Sequence, residues 1–389
     1  MSMHLPASVA LVAAFVPQGK SRNVSFGCLG LSQPLGFSAG LVISGIMIER
    51  AGWRSGFYLA GGAILTTTAI AMWFTPKSSP ETAVSQSVTD SSMLVRLWKE
   101  IDWIGGTIAS AGLALLAYVL ATLSGDLHSI HKASTAAMFG ISLALLVGFP
   151  LWMHWRQSSG KPALIPNSFW KKLPFASTCI MVAVSYGVMN SMELFSSLYF
   201  QEIQNTSTLF TSLRLLPSLL VGTIINLTVG IFVDRVSARW LVAVSSMLCA
   251  GAPLFMAVVD PKWSYWYMEF WAQVLAPMSG DVLFTVGLLI VSDEFPKEMQ
   301  GLAGAVFNTV AQCGTSLIMG LCQIITLGVS RHENPSVEAS VDHGSLEGSG
   351  QTLEGYQASF WTMFGMMFAC SVIALGGLQK AGKVGVKKD

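Results

Sequence analysis

The sequence predicts an all-α, polytopic membrane helix bundle with ten full transmembrane helices and a partial one at the N-terminus. Three observations carry this. Only 11% of the 389 residues are charged and 52% are hydrophobic, whereas a soluble domain carries about 25% charge. The apolar residues come in a series of nearly charge-free stretches, each roughly 20 residues or longer and so long enough to cross about 30 Å of hydrocarbon as helix. Period-two alternation is absent, which excludes a transmembrane β-barrel, and lipid leaves an open backbone without partners, so each stretch must be helical.

The elements follow in order. Residues 3–16 form a short apolar run interrupted by Pro6. At about 21 Å it is too short to span, and no basic segment precedes it as in a secretory signal. It reads as the tail of a helix whose start is missing. Full spans are expected at 23–48, 55–75, 103–125, 133–155, 174–201, 206–233, 240–259, 265–291, 302–329 and 356–379. Between them, 76–100 is polar, Ser/Thr-rich and reads as a cytoplasmic linker. Residues 330–355 form an acidic, glycine-containing loop on the opposite side.

Loop charge sets the orientation. With the 17–22 loop in the cytoplasm, sixteen of the 22 Lys and Arg residues fall on that side, from Lys20 and Arg22 to Lys387 and Lys388. Five fall opposite (Arg50, Arg54, Lys132, Lys262 and Arg331), and Arg214 lies within a span. The positive-inside rule then makes the C-terminus cytoplasmic.

Several classes drop out. A net charge of +1 offers no basic footprint for nucleic acid. The six cysteines all lie in apolar stretches and read as small buried hydrophobes. His332, Glu333, Asp342 and His343 fit no metal-ligand spacing, so no metal is expected. There is no G-x-S-x-G, H-E-x-x-H, P-loop or C-x-x-C, hence no enzyme, no ATP-driven pump and no cofactor. Asn205-Thr206-Ser207 is a glycosylation sequon on the outer side, close to the membrane.

Charges inside spans are Glu193, Arg214, Glu269 and Asp281. Each costs at least about 2.5–3.5 kcal/mol near the bilayer centre, so each is a functional candidate. Glu193 and Arg214 share a depth roughly 8 Å outward of centre and could form a structural ion pair. Alternatively Glu193 faces a cavity, since Tyr186, Asn190, Glu193 and Ser197 recur along one helical face. Asp281 lies within about 5 Å of its helix centre with no base at matching depth. A lone midplane carboxylate able to exchange a proton is what a proton-coupled carrier needs. A structural reading stands beside it, with Asp281 bonded to a neighbouring backbone or to Gln312. Glu269 is near the outer boundary and could snorkel to water. Asn308, Gln312, Thr315 and Gln323 share one face of a later span, and Asn226 is similarly placed; they form either an interhelical seam or a substrate-facing stripe.

Particular segments resemble a known family. They are LPASVALVAAFVPQGKSRN, LGFSAGLVISG and GWRSGFYLAGG within 5–62, then IDWIGG, PALIPNSFW, LYFQEIQNTSTLFTSLRLLP, GIFVDRVSAR and QGLAGAVFNTVAQCGTS. In order and spacing they resemble the fourteen-spanner drug–proton antiporter branch of the major facilitator superfamily, in its fungal multidrug and secondary-metabolite form. The resemblance implies an N-terminally truncated member, with 1–75 a remnant of the N-terminal bundle, 76–100 the linker, 101–160 two intervening helices and 161–389 a six-helix C-terminal bundle. Gly40 and Gly45 then belong to the antiporter-motif helix, with Leu41 where the family has Pro. Gly230…Asp234-Arg235…Arg239 repeats the family's gate motif, with Ser237 and Ala238 departing from it.

The resemblance implies a multi-pass protein, in the plasma membrane by analogy, that exports small amphipathic organic molecules in exchange for protons. Its partners are the small-molecule substrate, protons and the bilayer, with no nucleic acid and no obligate protein partner. Tyr186, Asn190, Glu193, Asp281, Asn308 and Gln312 are the candidates for the path. Two alternatives stand: a remnant without transport, and a membrane receptor that only binds.

Overall fold

In the computed structural model, residues 8–9, 11–12, 15–17, 19–74, 102–125, 127–160, 164–167, 169–333, 352–379 and 382 are described. The helices are α1 Lys20–Ala51, α2 Trp53–Phe74, α3 Trp103–Gly125, α4 Ala133–Ser158, α5 Leu173–Leu198, α6 Thr208–Phe232, α7 Ala238–Val258, α8 Glu269–Leu275, α9 Met278–Glu294, α10 Lys297–Glu333 and α11 Leu353–Gly377. A π-turn, Tyr199–Ile203, prolongs α5. The described residues contain no strand. Among the described residues, ten helical spans are long and apolar enough to cross a membrane, one of them α8 and α9 together, as Glu269–Glu294. The 76–100 linker, the glycine-containing part of the 330–355 loop and the Lys-rich tail lie outside the described residues. Of the 3–16 run, the described residues 8–9, 11–12 and 15 are helical, and Val9 packs on Gly304 of α10.

Helices α5 to α11 form a bundle around α5, which packs on α9, α10 and α11, while α7 packs on α11. Without a hydrophobic driving force between helices in lipid, close approach and polar bonds must hold such a bundle. Both are present. Gly314 of α10 meets α5 so closely that a Cβ there would lie 2.2 Å from the Ala183 carbonyl oxygen. Ser185, Ser246 and Ser279, from α5, α7 and α9, are joined by hydroxyl contacts of 2.8 and 3.0 Å, with the Cys370 thiol of α11 beside them. This knot is where four helices meet, and Ser185, Ser246, Ser279 and Cys370 are all fully buried.

Helix α1 runs antiparallel along α6. Gly27 and Gly230 face each other, each Cα 3.0 Å from where a Cβ on the other would sit, and Gly45 comes beside Ser212. Pro34 is carried inside α1 without ending it. Helix α2 leans chiefly on α1, and none of its described span residues is buried.

Helices α3 and α4 pair with each other, and α3 also reaches α10. Asp102 explains the IDWIGG segment. Its Oδ1 accepts from the Gly105 N–H at 2.9 Å, capping α3, and the Trp152 indole donates to its Oδ2 at 3.2 Å. Arg156 lies 3.7 Å from the same carboxylate. A Cβ at Gly105 would collide with Asp102 and Met153. Asp102→Ala removes the cap and leaves the half-buried Trp152 indole N–H without its acceptor, so a loss of about 1–2 kcal/mol is expected. Thermal unfolding in detergent checks it.

Candidate functional site

The candidate site lies where α1, α5, α6 and α9 meet. The span carrying Asp281 is broken at Ala276–Pro277, because proline offers no N–H to continue the helix. Asp281 is in the first turn beyond the break and is 5% exposed. It turns toward α6 because Gly222 makes room: a Cβ there would be 2.4 Å from the Asp281 Oδ2. The Asn226 amide lies against the carboxylate as well. Asn226 is itself held, donating to the Gly222 carbonyl at 3.0 Å and accepting from the Thr285 hydroxyl at 3.2 Å.

Helix α5 supplies the facing wall. Tyr186 is buried and its hydroxyl donates to Gln33 Oε1 of α1 at 3.2 Å. Its ring lies 6.1 Å from Phe284, which is 6.4 Å from Phe307. Asn190 and Glu193 are half-buried, and the Asn190 amide donates back to the Tyr186 carbonyl at 2.8 Å. Tyr186 and Glu193 both lie within electrostatic range of Asp281. On α1, Gly30 presses on Asn226 and Phe284. The structure therefore sets Tyr186 and Glu193 within electrostatic range of Asp281 and adds Gln33, Asn226 and Thr285. On α10, Asn308 is half-buried and Gln312 exposed. Asp281 faces α6 rather than Gln312.

The Glu193–Arg214 ion pair does not form among the described residues. The π-turn brings Gln204 to Arg214, whose Nη1 donates to the Gln204 Oε1. Gln204 Nε2 in turn donates to Glu269 Oε1 at 2.5 Å. The Arg214 guanidinium packs on the Phe200 and Tyr265 rings, at 5.2 and 5.4 Å. Glu269 is fully buried and does not snorkel. Asn205, exposed with φ +53°, turns the chain into α6, whose N-cap is Ser207.

Of the motif glycines, Gly45 touches Ser212 and Leu209, whereas Gly40 has no atom within 4 Å of its Cβ position and fronts an apolar groove of about 640 Å³ between α1 and α2. Asp234, Arg235 and Arg239 are not joined to one another among the described residues. Asp234 Oδ1 and Arg239 Nε are buried without a hydrogen-bond partner there. Arg235 and Arg239 lie over Phe232 and Trp240.

The ties at that end come from residues the sequence did not single out. Lys172 lies 3.8 Å from Glu294 and donates to its carbonyl. Gln300 donates to the Ser292 and Phe295 carbonyls at 2.7 and 2.9 Å. Arg22, 3% exposed, joins the Val16 carbonyl to the Ser292 hydroxyl, the latter at 2.9 Å. Arg22→Ala leaves these groups unsatisfied and is expected to cost about 1–3 kcal/mol, read as a lower Tm in detergent.

A model of the Major Facilitator Superfamily matches residues 1–319 and, in a second match, 178–385. The chain belongs to the Major Facilitator Superfamily. It is 38% identical, over 99% of its length, to MFS-type transporter 1 of Pyricularia oryzae, of which it spans 68%. It is 23% identical over 97% of its length to the low affinity ammonium transporter of Saccharomyces cerevisiae, again spanning 68%. With efflux pump terJ of Aspergillus terreus it shares 20% identity over 84% of its length, spanning 60% of that protein. Superfamily membership makes this a multi-pass membrane transporter, and its relatives point to a carrier of small molecules.

Proposed function

We propose that the protein exports small amphipathic organic molecules in exchange for protons, with its C-terminus and the Lys172 end of the bundle in the cytoplasm. The observation that carries this is the placement of Asp281. A carboxylate almost wholly buried in the middle of a span is costly. Among the described residues the Asn226 amide lies against it, and Tyr186, the Cys249 thiol and a second carboxylate, Glu193, are within electrostatic range, with Thr285 bonded to Asn226 and Phe284 beside Tyr186. Two ion pairs among the described residues, Arg156–Asp102 and Lys172–Glu294, lie elsewhere. Such an acid is free to exchange a proton, and protonation shifts the balance between two conformations only if it differs between them. Aromatic and amide groups nearby suit an amphipathic molecule. Efflux pump terJ, a relative by name, supports the direction.

The test is efflux of a fluorescent amphipathic dye from vesicles containing the chain. An imposed proton gradient should accelerate efflux, and a protonophore should return it to the level of empty vesicles. Dye flux indifferent to the gradient would overturn the coupling.

A second reading, carriage of a small cation, is favoured by the ammonium transporter among the relatives. Methylammonium in the same vesicles separates the two. Gradient-dependent movement of methylammonium with none of dye would replace the first reading by the second.

A further inference from the structure

The broken span places a short, separately held helix over the candidate site. Helix α8 has seven residues and packs chiefly on α6 and α7. At Ala276–Pro277 it parts from α9, where proline forfeits its bond to the preceding turn. The Cys249 thiol of α7 donates to the Ala276 carbonyl at 3.1 Å, a bond at the joint itself. Asp281 begins just beyond, its N–H donating to the Pro277 carbonyl at 3.2 Å. On its own span, α8 is what separates Asp281 from the Asn205 side of the molecule.

We propose that α8 is a lid hinged at Ala276–Pro277, and that Gln204 is the positioning residue that latches it shut by bridging Glu269 to Arg214. This rests on reading Asp281 as part of the transport path, but its test needs no transport.

The latch has a fixed half and a moving half. Arg214 belongs to the fixed half. Its guanidinium packs on the Phe200 ring of the π-turn. Tyr265, whose carbonyl accepts from the Phe270 N–H of α8, moves with the lid and adds a second tie, its ring over the guanidinium and its hydroxyl donating to the Arg214 carbonyl at 2.7 Å. The π-turn that presents Gln204 is anchored too, because Glu202 accepts from the Tyr356 hydroxyl of α11 at 2.6 Å. Glu269, the first residue of α8, is the moving half. A glutamine side chain has one donor end and one acceptor end. Only one orientation sets the amide donor on the carboxylate and the amide oxygen on the guanidinium; the flipped form opposes like groups at both ends.

The latch is also incomplete. Glu269 Oε2 and, one turn on, Gln273 Nε2 are buried without a hydrogen-bond partner among the described residues. The Tyr199 hydroxyl is the neighbouring group that faces the carboxylate. A buried charge satisfied through one of its two oxygens gains hydration whenever the helix swings out, which offsets the bond it loses. That balance suits an element that must open and close.

The experiment reads exposure of α8 directly. Gln273 is 2% exposed. Gln273→Cys is introduced with Cys28→Ser and Cys313→Ser, which remove the two thiols that are not buried. A membrane-impermeant methanethiosulfonate is applied from the Asn205 side. Slow modification is expected. Gln204→Glu sets a carboxylate against Glu269 and should speed modification about tenfold or more, the scale of one lost charge-assisted hydrogen bond.

Adding Glu269→Gln rebuilds the bridge with the charge moved. The carboxylate then at position 204 accepts from both Arg214 and the new amide, so protection should return. If Gln204→Glu fails to fold, Gln204→Ala, which removes both bonds without adding charge, is read in its place. Unchanged protection in the single variant, or fast modification that Glu269→Gln does not reverse, overturns the lid. Either failure leaves the dye-efflux result standing on its own.

Discussion

Asp281→Asn is expected to abolish gradient-driven efflux and to leave the protein folded, with a Tm equal to or above that of the wild type. Both halves follow from the site. Asparagine has the shape of aspartate, so it still fits against Gly222 and Asn226. Removing a charge held at 5% exposure in the middle of a span relieves a cost of at least about 2.5–3.5 kcal/mol. A structural role predicts the opposite pattern: a lower Tm with transport retained. Glu193→Gln is the companion variant. Glu193 is half-buried on α5 and only within electrostatic range of Asp281, so a weakened pH response with partial efflux is expected. Efflux assays and thermal unfolding on the same three preparations check these outcomes.

The largest stability effect is expected at Gly314. Helix α10 meets α5 there with no room for a side chain. A Cβ at Gly314 would lie 2.2 Å from the Ala183 carbonyl oxygen and 2.4 Å from its Cα. Gly187, on the other side of the same crossing, would meet the Gly314 carbonyl at 2.7 Å and Ile318 at 2.6 Å. The contacts at Gly314 are all to backbone, which cannot rotate out of the way, so the helices must separate. Gly314→Val is therefore expected to lose about 3 kcal/mol or more, the upper range for overpacking, and to lower the Tm on the order of 5–10 °C. Gly365→Val, where the glycine has open space around its Cβ position, is the control and should be near neutral. Thermal unfolding of the two variants, with yield after extraction, reads the contrast.

Why the fold was legible and the site only partly so comes down to what each depends on. Spans are set by the length and apolarity of each stretch, because lipid enforces helix on anything that crosses it. So the ten spans, and even the loose α2, follow from composition along the chain. The stripe at Tyr186, Asn190 and Glu193 follows from helical period. Which residue faces which does not. Asp281 turns to Gly222 because a glycine on another helix leaves space, and Arg214 prefers Gln204 because a π-turn adds one residue to the end of α5. Neither the glycine's facing nor the π-turn has a signature in local sequence. The bonds of Gln33 and Arg22 are hidden from local sequence for the same reason: their partners, Tyr186 and Ser292, lie 153 and 270 residues away. The Asp234–Arg235–Arg239 motif shows the converse, a pattern plain in sequence whose members are not joined to one another among the described residues.

The most direct test of the central claim counts protons against dye. The chain and its Asp281→Asn variant are reconstituted side by side in liposomes with a trapped pH indicator, and dye and proton fluxes are recorded in the same trace. The account predicts that wild type moves protons opposite to the dye in a fixed ratio, and that the variant shows no proton flux linked to dye. Dye movement in wild type with no accompanying proton flux, or an unchanged proton-to-dye ratio in Asp281→Asn, would contradict it.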